Sequence, residues 1–374
     1  MLTTPPKFPG LNLYYDYISI NEPLSGSRHD DFLSIGYFRM GSAMYEENMT
    51  FHQGAFLNSF RTRLALRGHE FSKSQRKLMR RNGSRFRVEY CDDSLLPEQF
   101  DIEQRYREHR GRLGGSALYS VIRGLYVEEN YFPTRQLRLY DGDRLVGFSF
   151  YDVGEKYGAS LMGVFEPEYE RFSLGYYTML LEIEYLKKHK FSYYAPGSVT
   201  PGQRAMDYKR RVGALEYFNP FRRRWLPLDQ QNEDEDLPVK TVQEQLGALK
   251  KLLRNSGIPA EIGLYERYAF PPEMMDRTPS EYDNYASPIG LWILPPNYRR
   301  QYLALYDWPR RRFRIYECAQ VGNLQAEPNY NEFGVPTLFN GLFHRSGYYR
   351  QADLSGTAQY LAEIYRALVE QESE

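Results

Sequence analysis

The chain has 374 residues, 42% hydrophobic and 16% aromatic, enough apolar material for a true core and far too much for a disordered polymer. No run approaches the roughly 18 apolar residues of a membrane span, Met1 to Gly10 has neither a basic leader nor an apolar stretch, and Cys91 and Cys318 are too few for a disulfide framework or a thiolate metal site. Net charge is zero, from 48 basic and 48 acidic residues, which leaves a reduced, cytoplasmic, two-domain protein without metal or cofactor as the expectation.

In chain order, Asp30 to Met40 predicts a short helix closed by Gly41, and Ser42–Tyr45 and Phe60–Leu66 predict strands. Ser72 reads as the N-cap of a helix over Lys73–Arg81, stopped by Asn82-Gly83. Helices are expected at Phe100–Gly111 and Leu118–Glu129. The texture then changes: Gln136–Tyr140 alternates, Asp141-Gly142-Asp143 makes a turn, and Leu145–Val153 and Ala159–Phe165 follow as strands. After Pro167, the helically spaced Tyr176, Leu180, Ile183 and Leu186 predict a longer helix. A strand at Phe191–Tyr194, a short helix at Arg204–Arg211 and a strand at Leu215–Phe218 complete this region.

That order matches the core of an N-acetyltransferase-like (GNAT) α+β fold, a mixed, mostly antiparallel sheet flanked by helices and splayed at a central strand. The expected division is an N-terminal basic domain at 1–130, a GNAT-like catalytic domain at 131–228, an acidic linker at 229–238 and a C-terminal region of unassigned role at 239–374. Helices are expected there at Val242–Leu253 and Thr357–Glu370.

Between Arg61 and Arg87, ten basic residues face one acid, Glu70. On a helix Lys73, Arg76, Lys77, Arg80 and Arg81 occupy neighbouring turns, where like charges repel unless counter-charges or phosphates cover them. With Arg61, Arg63 and Arg67 they predict a polyanion surface, and a helix start at Ser72 or Ser74 would aim free N–H groups at an anion. Glu166, Glu168, Glu170 and Glu182 read as solvated.

Several elements carry a family resemblance. Gly36-Tyr37-Phe38-Arg39-Met40-Gly41, followed by Tyr45, is similar to a Gly-x-x-Arg-x-Gly element of the arginyl/leucyl-tRNA–protein transferase family. Ser74-Gln75-Arg76-Lys77-Leu78-Met79-Arg80-Arg81-Asn82 resembles its Ser-Gln-Arg-Arg-x-x-Arg-Arg-Asn element, with Lys77 in place of one arginine. Ser173-Leu174-Gly175-Tyr176-Tyr177, Tyr193-Tyr194-Ala195-Pro196-Gly197 and Met206-Asp207-Tyr208-Lys209 resemble three later elements. The likeness covers roughly residues 14–228, without the family's N-terminal cysteine cluster.

The resemblance implies transfer of arginine or leucine from a charged tRNA to the α-amine of a protein N-terminus, with no cofactor and no membrane. Aminolysis of an activated ester needs proximity, a neutral amine and a place for the oxyanion. Tyr176, Tyr177, Tyr194 and Tyr208 are then the candidate catalytic residues. Arg39, Ser74, Arg76, the Leu174 and Gly175 backbone and Lys209 are the candidate substrate-binding groups. Arg61, Arg63, Lys73, Lys77, Arg80, Arg81, Arg210 and Arg211 are the candidate tRNA contacts. Two alternatives stay open: an acyl-CoA-dependent N-acyltransferase, although Arg171 to Tyr176 does not form the pyrophosphate loop such an enzyme needs, and a non-catalytic tRNA-binding or degron-recognition protein.

Overall fold

The computed structural model describes residues 15–52, 55–110, 118–123, 129–201, 204–219, 222–230, 238–264, 289–293, 300–307, 311–321, 329–330, 336–337 and 342–373. The chain opens with β1 (Tyr15–Ser19), α1 (Gly26–Ser34), β2 (Phe38–Met40) and β3 (Ala43–Glu47); the three strands pair antiparallel in the order β1-β3-β2. The helix expected at Asp30–Met40 therefore starts and ends earlier. Ser25 caps it by accepting from the Arg28 amide, and Gly36, at φ +88° beneath the Phe218 ring, turns the chain so that Phe38–Met40 becomes a strand. A hairpin of β4 (Met49–His52) and β5 (Ala55–Asn58) follows.

The central sheet has eight strands. In chain order these elements are β6 (Phe60–Ala65), α2 (Lys73–Gly83), β7 (Arg87–Asp92), α3 (Pro97–His109), α4 (Leu118–Ile122), β8 (Thr134–Asp141), β9 (Arg144–Val153), β10 (Tyr157–Phe165), α5 (Leu174–Lys188), β11 (Tyr193–Val199), β12 (Leu215–Asn219) and β13 (Arg224–Pro227). They lie in the order β13-β12-β6-β11-β10-β9-β8-β7. The described pairings are antiparallel except β10 with β11, as a GNAT-like mixed sheet requires. The boundary expected at 130/131 does not separate one sheet from another, because β6 and β7, from before it, share this one with β8 to β13. The helix expected over Leu118–Glu129 is regular only to Ile122, with 124–128 outside the described residues. The segment Arg204–Val212 is a 3-10 helix.

Helix α5 lies against the sheet with Leu180, Ile183 and Leu186 at 0% exposure, packed with Phe60, Leu64, Tyr194 and Tyr217. Each such side chain contributes about 1.5–3 kcal/mol, which holds α5 in place although the carboxyl of Glu182 is buried with them. On its other flank α5 meets Met79 and Phe86 through a second cluster that includes Leu174, Tyr177 and Leu181.

The linker expected at 229–238 falls mostly on residues outside the described set. Beyond it, helices Pro238–Asn255 and Leu354–Ser373 pack on a second sheet of seven strands, including Ile289–Ile293, Arg300–Asp307 and Arg312–Val321. Its core joins Leu246, Leu249 and Leu253 to Leu291, Tyr306, Phe313 and Leu361.

Candidate active site

The parallel pairing of β10 and β11 lasts three residues, Tyr157–Tyr193, Gly158–Tyr194 and Ala159–Ala195, and then stops although both strands continue. The reasons are local. Leu161 is an extra residue in β10 against β9, and β11 shifts its register against β6 between Tyr194 and Gly197, around Pro196, which has no N–H to give. From Ser160 and Pro196 onward the two strands form an open fork.

Helix α5 covers one side of this fork. Gly163 of β10 sits under Thr178 and Gly175, and Gly158 sits under Leu186, so Glu182, between them on the helix, comes over Ser160 at the apex. Glu182 is 0% exposed and accepts a hydrogen bond from the Tyr194 hydroxyl at 2.8 Å. Burial pushes its carboxyl up to about 7 against the hydroxyls of Ser149, Tyr194 and Ser160, which favour the charged form. The expectation that this glutamate is solvated is corrected, as it is for Glu166, which is 4% exposed and paired with Arg105 at 2.7 Å. One signal was available: Glu182 stands four residues before Leu186, on the inward stripe.

On the β11 side, Lys209 of the 3-10 segment donates to the Ser198 carbonyl at 3.2 Å. Gly197, at φ +94°, leaves it room, since a Cβ there would lie 3.0 Å from Nζ. Desolvation, with the neighbouring Arg61 charge, pulls Lys209 down to about 8, and among the described residues no carboxylate pairs with it. Arg61 is 5% exposed, donates to Ser198 Oγ at 2.5 Å and lies over the Tyr45 ring at 4.4 Å. Tyr208, the residue before Lys209, is 38% exposed; burial around its hydroxyl, then the charges of Tyr106 and Glu182, push it up to about 12.

Other candidate residues serve as ties. The Tyr176 hydroxyl donates to the Arg211 carbonyl at 2.7 Å and accepts from Gln75 Nε2 at 3.0 Å, while Gln75 also reaches the Arg211 carbonyl at 2.8 Å. This triangle joins α2, α5 and the 3-10 segment, and it engages the hydroxyl that was expected to meet substrate. Tyr177 is 1% exposed, packed beside Phe86 and Leu181, and pushed up to about 12 mainly by burial. Leu174 is core, and the Tyr176 and Tyr177 amides at the start of α5 are satisfied by the Ser173 carbonyl.

Three of the candidate arginines are held by partners within the fold. Arg39 is 4% exposed and bound to Asp152, Thr134, Asn130 and the Gly41 and Ile122 carbonyls, so it has no donors left for a substrate anion. Arg61 lies inside, beside Lys209. Arg63 binds Glu216 at 2.7 Å and Tyr157 Oη at 2.5 Å beneath the Tyr193 and Trp225 rings.

Helix α2 presents an exposed basic face. Ser72 and Gln75 form a reciprocal capping box, and Lys73, Ser74, Arg76, Lys77, Arg80 and Arg81 are exposed or half-buried. Arg210 and Arg211 are exposed as well, Arg210 near Asp207 at 3.9 Å.

Residues 98–219, which include β10, α5, β11 and the 3-10 segment of the fork, match the sequence model of the family described as arginine-tRNA-protein transferase, C terminus. Over that segment the chain is similar to the arginyl/leucyl-tRNA–protein transferase family. It is 26% identical over 170 residues to an aspartate/glutamate leucyltransferase of Paracoccus denitrificans, covering 42% of this chain and 60% of that protein. It is 25% identical over 217 residues to one of Stenotrophomonas maltophilia, covering 56% and 83%. The chain thus spans less than two thirds of the Paracoccus transferase. Among solved structures, a tandem GNAT protein of the clavulanic acid biosynthesis pathway aligns over 53% of this chain and 58% of its own, with 11% identity and a TM-score of 0.28.

Proposed function

We propose that the protein transfers an amino acid, leucine or arginine, from its tRNA ester to the α-amine of a protein whose N-terminal residue is acidic. The observation that carries this reading is Lys209: a desolvated ammonium at the fork, without a carboxylate of its own among the described residues and with Arg61 beside it. Such a cation is stabilised by an incoming carboxylate, and an acidic N-terminal side chain supplies one next to the amine that must react. The names of the leucyltransferase relatives agree with that acceptor class.

In this account the aminoacyl end of the tRNA enters the fork between β10 and β11, and the basic face of α2, with Arg210 and Arg211, takes phosphates of the acceptor stem. The ester is already activated, so the site supplies proximity and orientation, and the amine attacks the carbonyl carbon directly. The setting is the cytoplasm, where charged tRNA is available. Among the described residues no helix is long and apolar enough to cross a membrane.

The test uses the full chain, bulk tRNA charged with labelled leucine or arginine in separate reactions, and peptides beginning with Asp, Glu, Lys or Ala. Label passing to the Asp and Glu peptides is expected. Transfer to Lys or Ala peptides alone would overturn the assignment of Lys209, and binding of tRNA with no transfer to any peptide would make this a binding protein.

A further inference from the structure

Aminolysis of an ester has a proton to move. The attacking nitrogen must lose one as the C–N bond forms, and the ribose oxygen must gain one as the ester C–O bond breaks. Lys209 is a cation and takes no part in accepting it.

The carboxyl at the fork apex is placed for that task. Tyr194 holds Glu182 Oε2 at 2.8 Å, while Oε1 is buried and, among the described residues, receives no hydrogen bond of full geometry, the Ser149 and Ser160 hydroxyls acting on the carboxyl only from nearby. A second buried oxygen, Tyr151 Oη on β9, also lacks a hydrogen-bond partner among the described residues. The groups that act on or respond to this carboxyl from the surrounding elements are Ser149 and Tyr151 of β9, Ser160 of β10, Tyr194 of β11, Tyr90 of β7 and Tyr208 of the 3-10 segment. None of these is a cation, so among the described groups that act directly on the carboxyl none compensates a fixed negative charge. A buried carboxylate oxygen left unpaired costs free energy that a substrate N–H would recover.

We infer that Glu182 is the proton acceptor of the transfer: Oε1 takes the proton that the attacking amine sheds at the open end of the β10–β11 pairing, and returns it to the departing ribose oxygen. The inference rests on the transferase reading. Atoms balance without an outside reagent, since the C–N bond forms, the ester C–O bond breaks, the ribose leaves as its hydroxyl, and the carboxylate is regenerated. A carboxyl whose proton affinity is matched to neutral pH suits a group that must both accept and release a proton. Tyr194 acts as a positioning residue, fixing Oε2 so that Oε1 is the reactive oxygen.

The experiment follows kcat against pH with an acidic peptide whose α-amine is replaced by an aminooxy group. That weakly basic nitrogen stays largely unprotonated from about pH 5 to 9, unlike an α-amine, which removes the nucleophile's own titration from the profile. Reactions without enzyme set the background. Wild type is expected to gain rate as pH rises through about 7 and then level off. Glu182→Gln should lose that rise and fall about 100-fold in kcat, Glu182→Asp should recover some of it, and Tyr194→Phe should move the rise to higher pH, because the lost hydrogen bond favoured the charged carboxylate. Glu182→Gln with an unchanged profile, or a Tyr194→Phe profile that does not move, would overturn the inference while leaving the transferase reading standing. Wild type that transfers nothing from any charged tRNA, even to ordinary peptides, would overturn both.

Discussion

Arg39 and Asp152, 113 positions apart, form an ion pair of 2.7 Å with side chains 1% and 0% exposed. Thr134 donates to the same carboxyl oxygen at 2.7 Å, and Arg39 stacks over Phe132 at 3.9 Å. The pair ties β2 to β9, and so fastens the small N-terminal sheet to the central one. Arg39→Ala strands a buried carboxylate and is expected to cost about 3–5 kcal/mol, read as a lower denaturation midpoint with unchanged slope. Arg39→Lys should rescue little, since one ammonium cannot reach all the acceptors in the guanidinium's plane. A loss below about 1 kcal/mol would contradict this role.

Glu182 makes a second stability prediction, independent of activity. Its folded proton affinity is raised, from 4.5 to about 7, so the fold favours the neutral acid. Stability is therefore full below pH 4.5, falls as pH rises from 4.5 to 7, and stays reduced above. The isosteric Glu182→Gln carries no charge to bury. Relative to wild type it should gain about 3 kcal/mol between about pH 4.5 and 8, measured by denaturant titration at both pH values. An equal difference at both would contradict the burial argument.

Lys209→Met should raise KM for Asp- and Glu-initiated peptides about tenfold or more, the usual worth of a hydrogen bond to a charged group, and leave that for Ala-initiated peptides nearly unchanged. In wild type, kcat/KM for acidic acceptors should decline as pH rises through about 8, where free Lys209 loses its proton. Equal KM changes for all peptides would assign Lys209 a structural role.

The basic face of α2 borders solvent, so its charges can be removed without unfolding the helix. Lys77→Ala with Arg80→Ala is expected to lower tRNA affinity and to reduce the log–log salt slope by roughly one for each phosphate no longer neutralised. An unchanged slope would place the tRNA elsewhere.

Local features of this fold were readable in the sequence. Ser72 with Gln75 announces the α2 cap, Asp141-Gly142-Asp143 the β8–β9 turn, and the spacing from Tyr176 to Leu186 the buried stripe of α5. The fork was not readable, because it depends on register: a bulge at Leu161 and a shift around Pro196 decide where β10 and β11 diverge. The same holds for charge. Arg61 and Arg63 look like members of a basic patch, and Arg39 like a substrate-binding group, until their partners, Ser198, Glu216 and Asp152, arrive from elsewhere in the fold. Glu182 looked solvated because its neighbours in sequence, Glu184 and Lys187, are polar, whereas its neighbours in space are Tyr194, Ser160 and Ser149.

The most direct measurement is the intact mass of an Asp-initiated peptide after incubation with the full chain. One sample receives charged leucyl- and arginyl-tRNA, another receives acetyl-CoA, and both are followed by fragmentation to locate any added group. The account predicts a single leucine or arginine residue on the α-amine in the tRNA sample and an unmodified peptide with acetyl-CoA. An acetylated peptide, or a peptide unchanged in both, would contradict it.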